Sequence, residues 1–290
     1  MIVISPIERR LLLALAAFRL LTHSQMYRLQ IAHSSYLRTL THKLCSFPNP
    51  AYPLVGRLKK NRFGCMEHMF FLTGAGALFL GIVPDKKLWP CPPRHRESAY
   101  DDYWHRKYCV DFHIALVLAL RQSDLAELEH IDRYYLSQAG SKNAAHHSVC
   151  AQSRIVFPEG QQFFVPDMNF LLQGKTNSSI RALYTLEMIN GRNTKRVLQQ
   201  VFRHTEAHEQ GAFSARYGMQ VSAVLLLFSS DQALEAVRRR FFEIRPDANR
   251  FAALFYFGTV ARINRSVLAC WKMAGKDAKQ YFHFVTGKAV

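Results

Sequence analysis

Residues 218–230, GMQVSAVLLLFSS, constrain the fold more than any other stretch. A strand with one wet face alternates apolar and polar side chains, whereas every position from Ala223 to Phe228 is apolar. Such a run suits the centre of a sheet, covered on both faces. The neighbouring segments supply the other layers. DYWHRKYCVDFHIALVLALRQ (102–122) reads as a long helix and ELEHIDRYY (127–135) as a strand. SRIVFPEG and QQFFVPDMNFLLQ (153–173) pair around Gly160, and SSIRALYTLEMIN (178–190) is the next strand. NTKRVLQQVFRHTEAHEQ (193–210) is a helix with Asn193 or Thr194 as its cap, and DQALEAVRRRFFEI (231–244) is a capped helix with a basic face. The order αβββαβα predicts an α/β domain with a mixed central sheet. After Pro246, FAALFYFGTV reads as an added strand and RSVLACWKMAGKDAKQYF (265–282) as helical.

The first 83 residues follow another plan: helix, helix, helix, hairpin. Ser5 is a plausible N-cap, with Pro6 at the first helical position and Glu8 in the first turn. A second helix starts at about Thr22. The third, SSYLRTLTHKLCSF, buries Leu37, Leu40 and Leu44 and presents Ser35, Arg38, Thr39 and His42, with Lys43 beside them. Those side chains suit base edges and phosphates in a major groove. Two β-like runs follow around a turn at residues 61–64, where Arg57, Lys59, Lys60 and Arg62 cluster like the wing of a winged helix. A basic wing can track the phosphate backbone, although a charged hairpin tip is also an ordinary solvated turn. Pro84, Pro90, Pro92 and Pro93 then mark an extended linker over 84–98. The expected organisation is a winged-helix domain (1–83), that linker, an α/β domain (99–245) and a C-terminal extension (246–290).

Charge points to a polyanionic partner. The 290 residues carry a formal net charge of +17, from 38 Lys/Arg against 21 Asp/Glu. Residues 1–83 hold ten Lys/Arg against Glu8 and Glu67, a net +8. Nucleic acid ranks ahead of an anionic membrane surface on this balance. The 49% hydrophobic content excludes wholesale disorder. Six scattered cysteines include no CxxC pair, which disfavours zinc ribbons and fits a reducing cytoplasm. LLLALAAF (11–18) is too short to span a bilayer, so a protein without membrane insertion is expected.

Two acids stand out inside apolar, strand-like sequence: Asp167, directly after Pro166, and Glu187, 20 residues on. On adjacent strands of one hairpin they meet at one end of the sheet. Facing carboxylates resist joint ionisation unless a cation compensates, and Mg²⁺ or Mn²⁺ would do so with hard oxygen ligands. The competing reading makes both strand-end acids paired to arginines such as Arg181.

VPD (165–167) followed by a hairpin to YTLEMIN (184–190) resembles the PD-(D/E)xK nuclease core. With the N-terminal winged helix, residues 7–244 resemble the replication-relaxation family of plasmid replication and mobilisation proteins, which includes relaxases of the MobC type related to restriction endonucleases. The resemblance implies a restriction-endonuclease-like α/β domain and binding of double-stranded DNA at an origin of transfer or replication. It also implies relaxosome or replication proteins as partners, and metal-dependent cleavage of one strand in the catalytic members. Carried over, Asp167 takes the aspartate of the PD pair and Glu187 the acid of (D/E)xK. The third position departs from the pattern, because Ile189 stands where the family has lysine. Lys195 on the following helix is the candidate helper, Asn190 the candidate neutral metal ligand, and Asp111 a candidate further acid.

Other constellations are weaker. His204 and His208 lie four apart but HExxH is absent, so a surface pair is expected. Tyr134 and Tyr135 lack the paired histidines of the HUH relaxases, and no GxxxxGK[ST] or GxGxxG supports nucleotide use. The rival to a nicking enzyme is a non-catalytic DNA-binding accessory or regulator that keeps a degenerate nuclease fold. RNA binding is weaker still, for want of an aromatic RNP-like strand.

Overall fold

Capping boxes start the first two helices. In α1 (Pro6–Phe18) the Ser5 hydroxyl accepts the Glu8 N–H at 3.3 Å, and the Glu8 carboxylate accepts the Ser5 N–H at 2.6 Å. Thr22 and Gln25 repeat the device in α2 (His23–Arg28). Helix α3 (Ser34–Leu44) buries Leu37, Leu40 and Leu44, as its spacing predicts. A hairpin of β1 (Val55–Arg57) and β2 (Phe70–Leu72) follows, with Leu21 bridged to Phe70 beside it. Gly56 faces Phe71 across the pair, and the Phe71 ring occupies the space any larger side chain would need. Helix α4 (Gly74–Phe79) is capped by Thr73.

The computed structural model describes residues 3–58, 66–82, 103–133, 153–160, 162–191, 193–244, 248–274, 281–283 and 288–289. Lys59, Lys60 and Arg62 of the expected wing, the 84–98 linker, and Tyr134 and Tyr135 lie outside the described residues. Contacts divide the chain into two units, residues 1–114 with 136–142, and 115–135 with 143–290. The division falls within the long helix α5 (Tyr103–Gln122).

The second unit is a mixed α/β layer structure. Its elements run β3 (Ala126–Arg133), β4 (Ile155–Val156), β5 (Phe163–Phe164), β6 (Met168–Gly174) and β7 (Arg181–Ile189), then α6 (Thr194–Glu209), α7 (Ala212–Tyr217), β8 (Val221–Phe228), α8 (Asp231–Ile244) and β9 (Phe255–Thr259). After α9 (Val260–Ser266) come β10 (Trp271–Met273), β11 (Tyr281–His283) and β12 (Lys288–Ala289). Among the described residues eight strands form one sheet in the order β12-β11-β10-β9-β8-β7-β6-β3. Strands β3, β6 and β7 pair antiparallel, whereas β7, β8 and β9 run parallel, with α6 and α8 as the crossovers. The apolar run of β8 lies between β7 and β9, and Ala223 to Phe228 are all buried. A separate hairpin joins β4 to β5 and turns near Gly160, whose φ of +78° favours glycine. The main core fills the space between one sheet face and the helices: Leu171, Leu183, Val224, Leu226 and Phe257 meet Val197, Val201 and Leu234.

The expected helix over 265–282 is corrected. Strands β10 and β11 pair there instead, extending the sheet beyond β9. Local helix propensity is overridden by burial: Trp271 is fully buried over Gly258, its indole N–H donating to Val267 O at 2.7 Å. Burying that indole contributes on the order of 2–3 kcal/mol.

Candidate functional site

The register of β6 against β7 builds the first site. Met168 stands opposite Leu186, so the next pair outward is Asp167 and Glu187. Alternation puts both on the face that carries Asn169 and Thr185, which are themselves joined by a 2.9 Å hydrogen bond. The Met188 N–H donates to Asp167 Oδ2 at 2.6 Å, fixing that carboxylate against the neighbouring strand.

Helix α6 closes over this face along one line of residues. His204 Nε2 lies 2.6 Å from Glu187 Oε1, and Gln200 Nε2 donates to Oε2 at 3.4 Å. Arg196, one turn earlier, is exposed, and its charge acts on Glu187. Spacing of i, i+4, i+8 aligns the three. Burial pushes the Glu187 carboxyl well above its ordinary value, the adjacent Asp167 adds to this, and Arg196 opposes it. Burial also pulls the His204 imidazole down to about 3. Below the raised Glu187 value the contact is therefore between neutral groups, the carboxyl O–H donating to Nε2. Among the described residues His204 Nδ1, which is buried, has no hydrogen-bond partner, and the ring lies against Phe164 and Phe213.

The acids identified in the sequence come together, and their nominated helpers do not join them. Lys195 is exposed and lies roughly 140° around α6 from Gln200. Asn190 lies past the end of β7, is exposed, and alternates to the face opposite Glu187. Ile189 is buried on the Glu187 face, so no cation comes from that strand position. Asp111 is engaged in the first unit by Arg28 (2.9 Å), Lys107 (2.8 Å) and Gln25 (3.0 Å). Arg181 pairs with Glu129 rather than with either acid of the site. His204 is fully buried, which corrects the expected surface pair. Its place was visible in the sequence: Val197, Val201 and His204 share one stripe at helical spacing. Among the described residues, Glu187 belongs to no group of three or more His, Cys, Asp or Glu with ligand atoms all within 4.8 Å.

A polar row deeper on the same sheet face is fully bonded. Asp132 accepts from the Tyr217 hydroxyl (2.8 Å) and Arg216 (2.9 Å), and Asn169 donates to Tyr217 and to Ser153 O. That network ties α7 and the β4 region to the sheet.

The second site belongs to the first unit alone. A cleft of about 970 Å³ is lined by Arg38 and His42 of α3, His23 of α2, Arg57 of β1, and Glu67 and His68 ahead of β2. Glu67, its one acid, accepts the Ser24 N–H at 3.1 Å and the Ser24 hydroxyl at 2.5 Å. Burial lowers the His23 imidazole, with Glu67 working against the shift and Arg38 with it. Arg38, His42 and Arg57 thus face one concavity, while Ser35 and Thr39 are exposed on α3 outside its lining. Lys43 points elsewhere, its Nζ 2.5 Å from Glu8 Oε1.

No protein-family model, curated protein or solved structure matches the chain. No helix among the described residues is long and apolar enough to cross a membrane.

Proposed function

We propose that this chain is a double-stranded-DNA-binding protein of plasmid mobilisation or replication, whose second unit is a relaxase-like, metal-dependent strand-nicking nuclease. The observation that carries the reading is the opposition of Asp167 and Glu187 on neighbouring strands, buried on one sheet face. Two carboxylates so placed would not both ionise without a compensating cation. The element order supports the same reading. Helix α5, antiparallel β3, β6 and β7, helix α6 and parallel β8 follow the order of the PD-(D/E)xK core that the sequence resembles. Three helices and a hairpin, with Arg38, His42 and Arg57 around one cleft, are in keeping with a winged helix that holds duplex.

Asp167 and Glu187 suit Mg²⁺ or Mn²⁺ as hard oxygen donors, with Glu187 giving up its proton as the ion binds. Bound there, the ion would polarise a phosphate oxygen and acidify a water. The chain's own groups hold the carboxylates: the Met188 N–H fixes Asp167, and Gln200 and His204 orient Glu187. A second reading, a non-catalytic DNA-binding regulator, is favoured by Ile189 in the lysine position and by the His204 bond that occupies Glu187.

Supercoiled plasmid incubated with the protein in Mg²⁺, Mn²⁺ or EDTA separates the two. Metal-dependent nicking that disappears in Asp167→Ala/Glu187→Ala, with DNA binding retained, is the expected result. Tight binding without nicking in either metal would replace the nuclease reading with the regulator.

A further inference from the structure

Helix α6 carries a basic edge along the margin of the carboxylate site, where Arg196 also acts on Glu187. Arg196 and Arg203 are seven residues apart, so they lie within roughly 20° of each other around the helix and about 10 Å apart along it. Both are exposed, and neither forms an ion pair with a carboxylate among the described residues. Gln200 stands between them on the side turned toward Glu187. Arg203 Nη1 donates to Phe163 O at 3.3 Å, so this edge faces β5, which leads directly into Pro166 and Asp167. Across from it, the Arg154 guanidinium stacks on the Phe163 ring at 4.3 Å. The acids of α6, Glu206 and Glu209, sit in its last turns, away from Arg196.

We propose that this edge, Arg196 and Arg203 with Arg154 opposite, is a contact for the phosphodiester backbone of a DNA strand, leading it across Asp167 and Glu187. The partner follows from the chemistry. Two arginines rooted about 10 Å apart on one helix edge can each reach a separate phosphate of one strand, and planar, bidentate recognition of phosphate favours arginine over lysine. The strip deepens the nuclease reading, from which it takes DNA as the ligand, yet it is measurable apart from any cleavage.

The test uses the full chain in EDTA and a short fluorescein-labelled DNA duplex, with affinity followed by anisotropy across a sodium chloride series. Loss of two phosphate contacts in Arg196→Ala/Arg203→Ala should lower the log K against log salt slope by about 1.8 and weaken binding roughly 10- to 30-fold near 0.15 M salt. Arg196→Lys/Arg203→Lys should recover most of the slope, which a purely packing role would not. Arg121→Ala/Arg265→Ala, which removes two exposed charges elsewhere in this unit, should leave the slope close to wild type. A wild-type slope in the Arg196/Arg203 alanine pair, or an equal loss in the Arg121/Arg265 pair, overturns the proposal and leaves α6 with an ordinary solvated edge. If the slope falls as expected while the wild type nicks in no metal, the strip stands and only the catalytic half of the functional reading fails.

Discussion

Asp111 in the first unit and Glu187 in the second are buried to the same degree, 3% and 2% exposed, and are treated in opposite ways. Asp111 meets Arg28, Lys107 and the Gln25 amide, all within 3.0 Å. Glu187 meets a histidine that burial keeps neutral, a distant glutamine amide and a second carboxylate, with one exposed arginine nearby. A carboxylate given two cations is a structural joint. One that is desolvated beside another acid leaves an electrostatic demand unmet within the protein, and groups of that kind concentrate at functional sites.

Matched amide substitutions break the comparison most directly. Asp111→Asn keeps the shape but leaves Arg28 and Lys107 without a counter-charge, at a cost of about 3 kcal/mol, moderated because both cations reach solvent. Glu187→Gln should not lower stability at neutral pH and should raise it, because an amide replaces a carboxyl that the unfolded chain ionises freely and that burial disfavours as an anion in the fold. Urea unfolding of the two variants checks this. Equal losses would make Glu187 an ordinary structural acid.

A divalent cation should sharpen the same contrast. At a hundredfold excess over its Kd, Mn²⁺ would stabilise the folded chain by about 2.7 kcal/mol. Thermal melts in Mn²⁺ and EDTA should differ for the wild type and for Asp111→Asn, and coincide for Asp167→Ala/Glu187→Ala. A shift that survives the double substitution would place the ion elsewhere.

The pH dependence follows from the two shifts. His204 titrates near 3 when folded against an ordinary 6.5, so the unfolded chain binds a proton the folded one refuses, and stability falls as pH drops from 6.5 toward 3. Glu187 is raised, so its contribution is complete below its ordinary 4.5 and is lost as pH climbs through the folded value. Each limb has a slope of at most about 1.4 kcal/mol per pH unit. Relative to wild type, His204→Gln should flatten the acid limb and Glu187→Gln the alkaline one. Parallel profiles for wild type and His204→Gln would mean that His204 already carries its proton in the fold.

What was legible in the sequence was local or fixed by pairing. Ser5, Thr22 and Asn193 cap where their side chains can reach the following N–H groups, a relation contained within four residues. Asp167 and Glu187 could be matched because a hairpin fixes register from its own turn. Choosing among helix residues required knowing which face the sheet covers. The stripe of Val197, Val201 and His204 held that information, and it assigns Arg196 rather than Lys195 to the carboxylate side. The strands after Ser266 were not legible. Trp271 to Met273 is too short to show a period of two, and it is a strand because β9 offers an edge and Gly258 leaves room for an indole.

Lys43 gives the smallest effect and tests the first unit's half of the comparison. Its place on α3 beside Arg38 and His42 made it a DNA-binding candidate, yet its ammonium is taken by Glu8. Burial works to raise the Glu8 carboxyl, and the bonds from Lys43 and Ser5 more than offset this, leaving it below its ordinary value. The pair is thus satisfied internally, as Asp111 is, and contributes little free charge toward a phosphate. Lys43→Ala should therefore change affinity for duplex DNA by less than about twofold and leave the salt slope intact, whereas Arg38→Ala, which removes a charge lining the cleft, should lower the slope by about 0.9. If Lys43→Ala lowered the slope as much as Arg38→Ala, the Glu8 pair would have to open on DNA binding. Pairing in the free protein would then be a poor guide to which cations meet the backbone, in this unit and on α6 alike.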